Sequence, residues 1–284
     1  MKAPTSSPTR SPRASTDSLV VEELDDRDEL QDFLIQDKLA NAYLLGDLDP
    51  DYFPFCKWYG TRTPDGELDS VLCHYTGLSL PAVLAIGSEV GVESLLTSCR
   101  DCLPDRFHFH VMRPHLETLE DQFELADVRT MRRMGLHRSK YDGVGHDRRA
   151  RRLGHGDTAA IMELYEHYPD NLFEPSQLET GYYFGIDNGD ELLSIAGVHV
   201  VSEDYDVAAI GNLVTHPKAR GQGYATVCTG RLLDELFEEV SLVALNVRED
   251  NSPAISVYTS FGFQQNTQFW EGKAVEPGAN EDSD

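Results

Sequence analysis

Residues 207–225 read VAAIGNLVTHPKARGQGYA. The first part, Val207 to Thr215, is an apolar run rich in strand formers, and it runs into Pro217 and a glycine-rich turn, Arg220-Gly221-Gln222-Gly223-Tyr224-Ala225. From Gly223 to Val240 the pattern becomes helical, with Ala225, Cys228, Leu232, Leu236 and Val240 on one face, and a short apolar run, Leu242 to Val247, follows. Strand, helix and strand in that order make a βαβ unit, so the two strands should be parallel with a right-handed crossover. The glycines let main-chain N–H groups turn toward one point at the positive end of the helix, which is a site for a phosphate or pyrophosphate.

The charge pattern agrees. No acidic residue occurs from Val207 to Leu233, although Asp and Glu number 49 among 284 residues; Lys218, Arg220 and Arg231 lie inside that stretch. A Walker-type loop needs Lys and then Ser or Thr after its second glycine, and here Tyr224 and Ala225 stand there. A dinucleotide fingerprint needs three spaced glycines opening a domain, whereas this turn lies late in a mixed strand pattern.

The length of 284 residues suggests two domains or one elaborate one. An apolar share of 40% is ordinary for a folded chain. Residues 1–18 and 271–284 read as polar disordered tails, the second of them acidic. Between them, residues 19–145 and 146–270 run through the same order of elements, which suggests a duplicated fold. The first copy has a strand at Leu19 to Leu24, a helical stretch from Leu30 to Tyr43, short strands near Trp58, Val71 to Tyr75 and Val83 to Ile86, then helix, strand, helix and a strand at Met131 to Leu136. The second begins after Arg148 to Arg152, with Asp157 as N-cap of a helix from Thr158 to Tyr168 and strands at Tyr182 to Ile186 and Leu192 to Ser202. It ends with a helix from Pro253 and a strand near Gln264 to Phe269. The expected class is α/β of the α+β kind: a mixed, mostly antiparallel twisted sheet with one parallel βαβ unit.

The formal charge of −25 excludes nucleic acid and anionic membrane as partners. An acidic surface poor in Lys resembles that of halophilic proteins, in which molar salt screens self-repulsion. No stretch is apolar enough to span a bilayer, and residues 1–18 lack the apolar core of a secretory signal, so the cytoplasm is the expected compartment. Five Cys, an odd number, read as reduced thiols. Cys99, Cys102, His108 and His110 offer a zinc-like donor set, but Cys99 closes an amphipathic run and the two His alternate as on a strand, so no metal is expected.

A second motif is Asn251-Ser252-Pro253-Ala254-Ile255-Ser256-Val257-Tyr258, ending in Phe261-Gly262-Phe263. Ser252 as cap and Pro253 as first residue start a short helix that stacks Ala254 and Tyr258 on one face. A phenol of ordinary pKa near 10 suits proton donation to a departing thiolate whose parent thiol lies near 8.5. Taken alone, Tyr258 reads equally as an aromatic packed on the 242–247 strand.

Together these residues resemble the GNAT superfamily of acetyl-CoA-dependent N-acetyltransferases. The phosphate motif of that superfamily, Arg or Gln, two residues, Gly, one residue, then Gly or Ala, is matched by Arg220, Gly223 and Ala225. Leu213-Val214-Thr215-His216-Pro217 is similar to its pantetheine-pairing strand, and Asn251, Ala254, Tyr258 and Gly262-Phe263 to its closing motif. The likeness covers roughly 150–270; residues 19–145 lack the phosphate motif and are at most a degenerate copy, giving a tandem.

The resemblance implies direct attack by a primary amine of a small molecule or peptide on acetyl-CoA in a ternary complex, with no metal. Arg220, Gly221, Gln222, Gly223, Tyr224 and Ala225 would hold the pyrophosphate, and Leu213, Val214 and Thr215 the pantetheine arm. A main-chain N–H near Val214 would polarise the thioester carbonyl. Asn251 and Ala254 would line the coenzyme, and Tyr258 would protonate the leaving thiolate. Glu203, His199 and Glu179 are candidate bases, none of them assigned. The alternative is a non-catalytic acyl-CoA-binding regulatory module.

Overall fold

The apolar runs and glycine-rich turns assemble into one 12-stranded sheet in the computed structural model, which describes residues 19–143, 149–169 and 173–278. The first series of elements is β1 (Val21–Leu24), α1 (Arg27–Leu34), α2 (Ala42–Gly46), β2 (Cys56–Arg62), β3 (Leu68–Tyr75), β4 (Ala82–Gly87), α3 (Glu89–Ser98), β5 (Arg106–Val111), α4 (Leu116–Glu120) and β6 (Glu124–His137). The second is β7 (Arg151–Arg152), α5 (Thr158–Tyr165), β8 (Phe184–Asp187), β9 (Leu192–Ser202), β10 (Val207–Thr215), α6 (Tyr224–Glu239), β11 (Leu242–Arg248), α7 (Ser252–Ser260) and β12 (Gln264–Val275).

The strand order β1-β2-β3-β4-β5-β12-β6-β11-β10-β9-β8-β7 shows how the two series join. All pairings are antiparallel except β4 with β5 and β10 with β11, the corresponding pair in each series. The last strand of each series is exchanged: β12 pairs with β5 of the first, β6 with β11 of the second, and β6 and β12 pair with each other at the centre. The expected mixed, mostly antiparallel sheet is thus present, with a parallel pair in each series rather than one.

Three apolar clusters cover the sheet. The helices α1 and α2 bury Leu30, Leu34, Leu44 and Leu45 with Trp58, Val207 and Leu242; α3 packs Val92, Leu95 and Leu96 on Phe107 and Phe109; α6 buries Cys228, Leu232, Leu233 and Leu236 with Ile195, Ile210 and Val243.

Several local expectations change. The helical stretch expected through Leu30 to Tyr43 is broken, because a 3₁₀ turn at Ile35–Asp37 separates α1 from α2. Asp157 does not cap α5 with its side chain; its Oδ2 accepts the Gly154 amide at 2.9 Å while Oδ1 takes Arg151. The cap of α7 is Asn251, whose Oδ1 accepts the Ala254 amide at 3.3 Å, so Ser252 is the first helical residue instead. The tail expected from residue 271 is still strand through Val275, since β12 pairs with both β5 and β6 there. The tail expected at 1–18 lies outside the described residues.

Strand exchange leaves each series with an unpaired inner edge when the other is absent. Residues 19–142 and 149–284, expressed singly, are expected to aggregate or to lose cooperative unfolding, and to form a soluble one-to-one complex when co-expressed. Size exclusion and thermal melts followed by circular dichroism read this out. A lone second half melting cooperatively near the parent temperature contradicts it.

Candidate functional site

The site begins where two parallel strands part. β10 pairs with β11 only from Val207 to Ile210, opposite Leu242 to Leu245, and on its other edge stays with β9 to Thr215. A register shift between Gly211 and Val214 bends β10 away. Asn212 there takes φ 54°, a left-handed value that Asn tolerates better than most side chains. The bend is fixed from inside. Asn212 Nδ2 donates to the Tyr183 hydroxyl at 2.8 Å and to Gln177 Oε1 at 2.9 Å, and its carbonyl accepts from the Tyr165 hydroxyl at 2.8 Å. The Oδ1 atom of Asn212 is buried with no partner.

Main-chain direction along the opening follows from one bond. The His216 amide donates to Leu193 O of β9 at 2.8 Å. Strand alternation then turns Val214 toward β9 and Leu213 and Thr215 toward the opening. Consistent with this, Val214 O accepts from Ser194 Oγ at 3.2 Å on the β9 side. The edge-facing amides are therefore those of Leu213 and Thr215, not that of Val214.

At the end of β10, a 3₁₀ turn over Pro217–Ala219 leads into Gly221 at φ 74° and Gly223 at φ 78°, the residue before α6. A Cβ on either glycine would meet nothing within 4 Å, so the turn needs glycine for its backbone shape rather than for space. Among the described residues, none accepts the amide hydrogens of Gly221 through Ala225. These donors stand exposed at the positive end of a 16-residue helix. Arg220 is beside them, its guanidinium donating to the Tyr168 hydroxyl at 2.9 Å. Arg231, from the same acid-free stretch, lies further along α6 and pairs with Glu235.

Asn251, Tyr258, Leu213 and Val214 line one cleft of about 1110 Å³ with Asn246 of β11. Ala254 is half-buried against the core beneath it. The Tyr258 side chain is buried, its hydroxyl has no hydrogen-bond partner among the described residues, and desolvation pushes its pKa up, so the phenol keeps its proton. Tyr182, Tyr183 and Phe184 do not line the cleft; Tyr183 is fully buried, bonded to Val198 O at 2.9 Å.

The far wall of the cleft comes from the first series and the exchanged strands, which sequence reasoning missed. Tyr43 of α2 stands 4.7 Å from the Arg133 guanidinium, and Arg133, buried on β6, donates to Asn246 Oδ1 at 3.0 Å and to Ala40 O. Burial pushes Asp47 up to about 7, lowers His199 to about 4 and holds His110 well below the usual imidazole value. Of the candidate bases, His199 and Glu179 line the cleft and Glu203 does not. The Cys99, Cys102, His108, His110 set does not converge: Cys99 is buried with Phe107 and Phe109 on the opposite face of β5 from the two His, and Cys102 is exposed.

The first series has no matching anion site. At the start of α3 the Ser88 Oγ caps Gly91, and the Asp69 carboxylate accepts from the Ser88 hydroxyl at 2.5 Å. An acid stands where the second series presents free amides.

The profile of the family described as Acetyltransferase (GNAT) family matches residues 143–263, the stretch that holds the parted strands, the glycine turn and all of α7. Residues 143–263 are a GNAT domain. The whole GNAT-like architecture recurs in solved structures. A Drosophila protein superposes with TM-score 0.69 at 13% identity over 92% of this chain and 100% of its own. A GCN5-related N-acetyltransferase from Sphaerobacter thermophilus gives 0.58 at 13% over 93% and 98%. A tandem GNAT protein from the clavulanic acid biosynthesis pathway gives 0.54 at 16% over 92% and 100%. At these identities the likeness is one of fold. No curated protein matches. No helix among the described residues is long and apolar enough to cross a membrane.

The buried imidazole of His199 generates a pH prediction for this GNAT fold. Its folded pKa of about 4 lies below the unfolded 6.5, so its contribution to stability is complete above pH 6.5 and is lost as pH falls toward 4. His199→Gln should remove about 2 kcal/mol of the stability difference between pH 7 and pH 5. His110 acts in the same direction and leaves a residual slope. Denaturant melts at the two pH values check it; an unchanged slope in the variant contradicts it.

Proposed function

We propose that this protein transfers an acetyl group from acetyl-CoA to a primary amine of a small molecule or peptide, by direct attack in a ternary complex. The observation that carries the reading is the run of unpartnered amides at Gly221 to Ala225, which follow in the chain the end of β10 whose Leu213 and Val214 line the cleft together with Tyr258. Those amides and Arg220 suit a pyrophosphate. When bound, acetyl-CoA supplies an activated acyl thioester.

The residues of this chain divide the remaining work. Leu213 and Thr215 offer edge amides to the pantetheine arm, and Asn212 Oδ1 is a buried acceptor for an amide of that arm. The Leu213 N–H polarises the thioester carbonyl and stabilises the oxyanion, a role worth about 3 kcal/mol. Asn251 keeps its side-chain amide N–H group for the arm while its oxygen caps α7. As the neutral amine nitrogen bonds to the acyl carbon and the carbon–sulfur bond breaks, Tyr258 gives its proton to the thiolate, and the proton shed by the nitrogen as it becomes an amide returns to the Tyr258 phenolate, leaving free thiol and the amide. The cleft carries Asp47, Asp51, Asp127, Glu179 and Glu271 against Arg129, Arg248 and Lys273, and with Asp127 paired to Lys273 at 2.9 Å the remaining acidic excess favours a cationic acceptor. Residues 19–145 thus supply an acceptor wall and residues 146–270 the coenzyme site.

Acetyl-CoA is expected to raise the melting temperature. Gly223→Val should weaken coenzyme binding about tenfold, because a β-branched residue in this left-handed conformation strains the turn. Calorimetric titration measures it, and equal affinity in the variant removes the anion site. Tyr258→Phe should lower kcat about a hundredfold while KM for acetyl-CoA stays nearly constant. Free-thiol release against a panel of amines reads the rate. If coenzyme binds but no amine releases thiol, the regulatory binding module replaces the enzyme.

A further inference from the structure

A second constellation lies on the wall of the cleft supplied by the exchanged strands. Along β5 burial alternates, so Phe107, Phe109 and Val111 face α3 while His108 and His110 face the cleft. β12 runs antiparallel beside β5, with Glu271 directly opposite His110. Glu271 Oε2 lies 3.8 Å from His108 Nε2 and 3.6 Å from His110 Nε2, and the side chains of His108, His110 and Glu271 are only 17%, 15% and 17% exposed. One donor atom from each falls within 4.8 Å of the other two. The Nδ1 atoms of both rings are buried without a partner.

These distances have a chemical meaning. At 3.6 Å and more, the carboxylate is too far from either imidazole for a hydrogen bond. Donors bound at about 2.0–2.1 Å to one tetrahedral cation stand roughly 3.3 Å apart. From Glu271 to either ring the gap closes with shifts of a few tenths of an ångström, and the two imidazole donors, within 4.8 Å of each other, close theirs by small turns of the rings. Two imidazoles and one carboxylate suit a borderline transition cation, whereas Mg²⁺ and Ca²⁺ prefer all-oxygen shells. Three protein ligands beside an open cleft also leave a coordination position for water or an incoming heteroatom. The nearby Arg133 opposes a cation, and its guanidinium is engaged by Asn246 and the Ala40 carbonyl.

We propose that His108, His110 and Glu271 form a binding site for a divalent transition cation of the Zn²⁺ type, assembled only when β12 of the second series inserts beside β5 of the first. The site does not depend on the acetyl-transfer reading. Acetyl-CoA binding is a separate measurement whose failure leaves it untouched.

The full-length protein, stripped with a chelator and dialysed, is titrated with Zn²⁺ by calorimetry and with Co²⁺ by visible absorption. About one equivalent per chain is expected, with Co²⁺ bands of a four- or five-coordinate site. His108→Ala, His110→Ala and Glu271→Gln should each weaken binding about tenfold or more and abolish those bands, while Cys99→Ser and Cys102→Ser leave both unchanged. Metal-free melts confirm that the variants fold, and the near-isosteric Glu271→Gln carries the test if a His variant does not. Uptake below about a tenth of an equivalent overturns the proposal. So does uptake that survives in folded Glu271→Gln, which assigns the ion to adventitious surface groups.

Discussion

Everything at the site follows from the separation of β10 from β11 after Ile210. A parallel pair that stayed zipped would satisfy its own amides and leave no edge to offer. The separation is set by the shift at Gly211, and the buried network of Asn212, Tyr183, Gln177 and Tyr165 holds it open. Gly211 matters for space: a Cβ there would fall 1.8 Å from the His199 ring, so the bulge can sit against the cleft wall only without a side chain. From the end of β10 the chain passes through Pro217–Ala219 directly into the glycine turn, so the opened strand edge is followed at once by a helix N-terminus.

Strand exchange makes the two series interdependent while they diverge in chemistry. Both keep a parallel pair joined by a helix, but one presents amides at Gly221 to Ala225 and the other sets the half-buried Asp69 carboxylate against the exposed Ser88 hydroxyl. At that helix start the Gly91 amide is capped by Ser88 Oγ, and the Asp69 carboxylate that accepts from the Ser88 hydroxyl repels an incoming anion. The α2 and β5 of the first series bring Tyr43 and the His108 pair to the wall of the cleft, and Arg133 of the exchanged β6 is buried against the Tyr43 ring.

How much was legible in the sequence divides along contact range. The βαβ unit, the glycine turn and the Asn251–Tyr258 helix are local, each declared by spacing within a few turns of chain, and they formed with shifts of a residue or two at their ends. The element order announced a duplication. What no local pattern could announce was the exchange, because β12 next to β5 is a pairing over more than half the chain and depends on which edges are left open. Glu271, Arg133 and Tyr43 were therefore invisible as site residues. His108 and His110 were noticed but matched to Cys99 and Cys102, their neighbours in sequence, whereas strand alternation sends those cysteines and the two His to opposite faces of β5.

The charge distribution reconciles a chain of net −25 with an anion site. Screening in salt limits the reach of exposed charges to about 10 Å or less, so what a bound phosphate feels is set by its immediate neighbours rather than by the total. Those neighbours are amide donors, Arg220 and Lys218, with the acids absent from 207–233. The cleft itself carries both signs, with Asp51, Glu179 and Glu271 beside Arg129 and Arg248, and Asp127 paired with Lys273. Under the proposed reading an anionic carrier would meet amide donors and cations at the glycine turn, and the amine acceptor would meet the mixed charge of the cleft, so the two would not compete for one place.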